Sequence, residues 1–188
     1  MFARLFKQKN APQTTGQIAQ GLYEAALMQT RKPEFYTECG VPDSFDGRFD
    51  LLLVNIFILL RHMKDHPEYD EISQALFDAT FKNMDQTLRE MGIGDMGIPK
   101  HMKRMMKAFN GRMHSYLAAI DPDSLNDVEI EGIKKTTLEE ALRRNLFGTV
   151  EDDDLNANHP AKIADYIRAN LENGRLEDYS KPEFIDSF

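Results

Sequence analysis

A ten-residue apolar run, Leu51 to Leu60, interrupted only by Asn55, limits the possible folds more than any other feature of the chain. It lies in a longer stretch, about 46–62, that repeats at the helical period. Phe49, Leu52, Leu53, Ile56, Phe57, Leu59, Leu60 and Met63 would cover most of the circumference of that helix. A helix that is apolar on nearly all sides must be enclosed by other elements. The run is too short to cross a bilayer, which takes roughly 18–20 consecutive apolar residues. The pattern therefore predicts a buried central helix with others packed around it.

The flanking segments supply those others. Thr14 and Gln17 fit a capping box, and Ile18, Leu22, Ala25 and Ala26 line one face of a helix that Pro33 closes. Residues 34–45 read as a loop with Phe35 and Tyr36 as anchors. Pro67 suits the first turn of a helix carrying Ile72, Leu76, Ala79, Met84, Leu88 and Met91 and stopping at Gly92. A fourth helix follows Pro99 and ends near Asp121. Short helices are expected over about 137–147, with Thr136 and Glu139 as a capping box, and over about 159–173. Val128 to Glu131 alternates but is too short to found a sheet. The expected fold is all-α, a compact single-domain helical bundle of five to seven helices. Residues 1–13 form a basic N-terminal segment, 14–174 the helical domain and 175–188 a polar tail.

Composition narrows the function. The net charge of −8 disfavours a general nucleic-acid binder, and no DNA partner is expected. A single cysteine, Cys39, cannot form an internal disulfide. It lacks any motif that would supply a base or lower its pKa. Gly92, Gly94 and Gly97 match G-x-G-x-x-G, but the preceding segment reads as helix where a dinucleotide site needs a strand. His62 and His66 have the four-residue spacing of a metal pair, without a glutamate between them. The acidic run 151–154 lacks the calcium-loop pattern. No enzyme activity, metal, cofactor or small-molecule substrate is expected.

Two basic amphipathic segments stand out. Lys100, Lys103, Arg104 and Lys107 share one face of the fourth helix, with Arg112 further along and no acidic residue between Asp95 and Asp121. Met102, Met105, Met106, Phe109, Met113, Tyr116 and Ile120 fall opposite. That methionine-rich side either packs into the core or adapts to a varied apolar partner. The lysines are either solvated or bind. At the N-terminus, Phe2, Leu5 and Phe6 alternate with Arg4, Lys7 and Lys9. This segment is either a frayed end or a weak contact for an anionic membrane surface.

Three stretches together resemble a known family: Val41-Pro42-Asp43-Ser44-Phe45-Asp46-Gly47-Arg48-Phe49, Asp85 to Asp95, and Ile98-Pro99-Lys100 through Ala108-Phe109-Asn110-Gly111-Arg112. They resemble the ubiquinol–cytochrome c chaperones, assembly factors of the cytochrome bc1 complex, over most of residues 14–147. The chain looks like a bacterial member, since no mitochondrial-type presequence precedes the match. The resemblance implies a non-enzymatic chaperone that binds newly made cytochrome b. Mitochondrial members work near the ribosome exit with a small partner protein; for this chain the ribosome exit region and the membrane surface are the further expected contacts, with a cytoplasmic location peripheral to the inner face of the membrane. The client-binding candidates are Lys100, Lys103, Arg104, Met106, Lys107, Phe109 and Arg112. Asp43, Asp46, Arg48, Asp85, Arg89, Glu90 and Asp95 either pair among themselves or face the client. Phe2, Arg4, Leu5, Phe6 and Lys7 are the membrane-contact candidates. A ribosome- or RNA-contacting regulator using the basic helix 100–112 is the alternative.

Overall fold

The computed structural model describes residues 14–121, 136–151, 156 and 158–173. Among them, helices are α1 (Thr15–Thr30), α2 (Glu34–Thr37), α3 (Phe45–Met63), α4 (Tyr69–Glu90), α5 (Ile98–Ile120), α6 (Leu138–Asn145) and α7 (Asn158–Asn173). None of them is long and apolar enough to cross a membrane.

The apolar stretch forms α3 and occupies the centre. Leu51, Leu53, Val54, Ile56 and Ile58 are wholly buried, and α1, α5 and α7 pack around them. α4 lies against α1 and α5, and α6 bridges α5 and α7. The interruption at Asn55 has a clear role. It is completely buried, and its Nδ2 donates to Thr30 Oγ1 of α1 (3.2 Å) and to the Leu51 carbonyl (3.1 Å). The Tyr166 hydroxyl of α7 donates to its Oδ1 (2.8 Å). A buried amide must find such partners, so this one side chain fixes how α1 and α7 sit on α3.

Three local expectations change. The 34–45 loop contains α2, whose Phe35 is buried edge-on to Tyr166 at 5.0 Å. Pro67 precedes α4 rather than entering its first turn, since Glu68 is the N-cap residue. The capping box of α6 is Thr137 with Glu140, one residue later than the Thr136–Glu139 pair. Both pairs satisfy the pattern, and the phase that buries Leu138, Ala141 and Leu142 selects the second. The N-terminal segment with Phe2, Arg4, Leu5, Phe6 and Lys7, residues 122–135, the acidic residues 152–154 and the tail lie outside the described residues.

Candidate functional site

The entrance to α3 builds the first feature. The Ser44 side chain caps the helix by accepting from the Gly47 amide (3.1 Å). A Cβ at Gly47 would lie 2.1 Å from the Pro42 carbonyl oxygen, so glycine lets the 41–44 turn lie directly against the first turn of α3. Asp43 accepts from Arg48 Nε at 2.5 Å, and this hydrogen bond holds the Asp43 carboxyl below its usual range. The Arg48 guanidinium stands 5.8 Å from the centre of the Tyr36 ring, whose hydroxyl donates to the Thr30 carbonyl (2.5 Å).

This turn forms one wall of a groove of about 850 Å³ between α1, α2, α3 and α4. Tyr23, Leu27, Tyr36, Phe45, Phe49 and Met84 give it an apolar lining, with Arg31, Asp43, Arg48 and Glu90 among the charged residues around it. Leu27, Tyr36 and Phe45 are only partly buried, so apolar surface is open in the groove. Of the loop candidates, Asp43, Arg48 and Glu90 meet here.

Asp85, Arg89 and Asp95 serve a different purpose. Arg89 Nε bonds Asp85 one turn back (2.6 Å), and Arg89 Nη1 bonds Asp95 beyond the helix end. Between them Gly92, at φ +83°, closes α4. The Gly92 amide donates to the Arg89 carbonyl and the Ile93 amide to the Leu88 carbonyl, the two hydrogen bonds of a Schellman cap. The glycine pattern is thus a helix terminus joined to α5.

α5 sorts its basic residues into two groups. Arg104 pairs with Asp46 at 3.5 Å. Arg112 Nη2 lies 2.9 Å from the Asp50 carboxylate and 3.4 Å from the Asn145 carbonyl of α6. Asp50 is buried in this joint. Desolvation pushes its carboxyl up to about 6 despite the opposing pull of Arg112. Lys100, Lys103 and Lys107 stay exposed and make no ion pair among the described residues. The apolar side also divides. Phe109 is buried edge-on to Phe77 (5.2 Å) and Phe81 (5.8 Å) of α4, and Met105 is buried as well. Met106 is exposed beside the lysines, where the helical spacing placed it on the opposite side. Arg112 and Phe109 therefore belong to the packing of the bundle.

The remaining candidate groups form no cluster of three metal-ligating side chains among the described residues. Cys39 is buried, and burial raises its thiol pKa, the reverse of an activated nucleophile. His66 Nδ1 accepts from the Glu68 amide (3.1 Å), and burial lowers the pKa of His62.

Residues 37–187 match the family of ubiquinol–cytochrome C chaperones. The chain belongs to this family. A crystal structure of the Cbp3 homolog from Brucella abortus is similar to it, with a TM-score of 0.64 and 31% identity over 95% of this chain and 92% of that one. Comparison with curated protein sequences gives no match.

The stretches that carry the resemblance all make contacts within the fold. The first forms the turn docked on α3, the second the end of α4, and the third carries the arginines that tie α5 to α3. What sequence reasoning missed is the groove lining, since Tyr23, Leu27 and Met84 come from two separate helices and share no motif. Asp43, Phe45, Arg48 and Phe49 do lie within the first recognisable stretch and Glu90 within the second, but nothing along the chain marks them as one wall.

Proposed function

We propose that the protein is a non-enzymatic assembly chaperone of the cytochrome bc1 complex and holds an apolar segment of newly made cytochrome b in the groove. Family membership supports the role. The observation that carries the site is the 850 Å³ groove with a partly open apolar lining. Such a surface gains by covering itself with another chain's side chains, about 1.5–3 kcal/mol for each large apolar group buried. The Tyr36–Thr30 and Arg48–Asp43 bonds brace its walls. The basic α5 helix is a weaker client site, because Phe109 is enclosed and Arg104 and Arg112 already have carboxylate partners.

Photocrosslinkers at Leu27 and Met84 in the cell, compared with one at Lys103, test this reading. The groove positions are expected to trap cytochrome b. Trapping from Lys103 alone would refute the groove as the client site.

A further inference from the structure

We propose that the exposed face of α5, with the turn that precedes it, docks on the surface of an anionic lipid bilayer. The proposal is independent of the groove. Lys100, Lys103 and Lys107 recur on one side of α5 and project into solvent. Arg104 and Arg112 are engaged by Asp46 and Asp50; Arg89 is shared by Asp85 and Asp95, which leaves one negative charge at the preceding turn, outnumbered by the three lysines. The whole chain carries −8, so an anionic surface would repel most of the molecule and select this side.

Exposed methionines occur on α5 and in the segment just before it. Met96, immediately before α5, is 98% exposed, Met91 at the end of α4 is 55% exposed, and Met106 is 36% exposed. Lysine ammonium groups on long stems suit lipid phosphates. Unbranched thioether chains suit the boundary between headgroups and acyl chains. Stacking on the bases of a single-stranded nucleic acid would call for exposed aromatic rings or free guanidinium planes. On α5 both arginines are paired, and Phe109 and Tyr116 are buried.

Flotation of the full chain with vesicles tests the proposal. Phosphatidylcholine vesicles with and without phosphatidylglycerol are compared over a salt series. Recovery is expected only with the anionic vesicles and should fall as salt rises. K100A/K103A/K107A should lose about a hundredfold in vesicle affinity, at roughly fivefold per lysine, with an unchanged melting temperature. M96S/M106S should also weaken binding while leaving the salt dependence in place. Equal recovery of the triple variant would overturn the proposal. So would a loss confined to R4A/K7A/K9A, which would move the contact to the N-terminal segment. Lysine-dependent binding to an RNA oligonucleotide with no lysine effect on vesicles would overturn it in favour of a nucleic-acid surface.

Discussion

Replacing Gly47 by alanine sets two effects of opposite sign against each other. Inside a helix the change is favourable by up to about 1 kcal/mol, because alanine loses less backbone entropy on folding. Here the new Cβ would lie 2.1 Å from the Pro42 carbonyl oxygen, far inside contact distance, and that atom is backbone. The 41–44 turn would have to lift off α3 by about 1 Å, disturbing buried Val41 and the Asp43–Arg48 pair. Overpacking of this kind costs about 1–3 kcal/mol, so the clash should win by roughly 1–2 kcal/mol. For a chain of this size that lowers Tm by about 2–8 °C. Gly111→Ala is the internal comparison. Gly111 lies within α5, and its Cβ would meet nothing within 4 Å. That variant should gain about 0.5–1 kcal/mol and melt higher. Thermal unfolding of both, followed by circular dichroism, reads the result directly. If Gly47→Ala melts at or above the parent temperature, the close approach of the turn to α3 is not what requires glycine there.

Two further outcomes are expected. The Asp50 carboxyl is raised to about 6 in the folded protein, so it takes up its proton at a higher pH there than in the unfolded chain. Its contribution therefore increasingly favours folding as pH falls from about 6 towards 4 and is unfavourable above that window. Over this window the parent should gain up to about 3 kcal/mol relative to Asp50→Asn. Parallel stability curves in denaturant titrations across that range would refute it. Tyr166→Phe removes the 2.8 Å hydrogen bond to buried Asn55 and should cost about 1–2 kcal/mol in urea denaturation, and an unchanged midpoint would show that the bond contributes little.

The sequence alone determined the helical fold class and the central place of α3. A ten-residue apolar run in helical phase has one low-energy position, inside a ring of other helices. It also determined helix ends that depend on near neighbours, such as the Thr14–Gln17 cap and the stop at Gly92. At α6, two adjacent threonines and two glutamates fit one pattern equally, and only tertiary burial chose between them. The same limit applies to the candidate surfaces. Lys103 and Arg112 are equivalent along the chain as basic residues of α5. They differ because α3 brings Asp50 against Arg112 and nothing described against Lys103. The groove is further still from being legible. Periodicity tells which side of a helix turns inward. Whether the inward sides of α1, α3 and α4 close on one another or leave space depends on how the helices diverge. That divergence is set by contacts between residues far apart in the chain, including the turn held by Gly47 and the Asn55 bonds to α1 and α7.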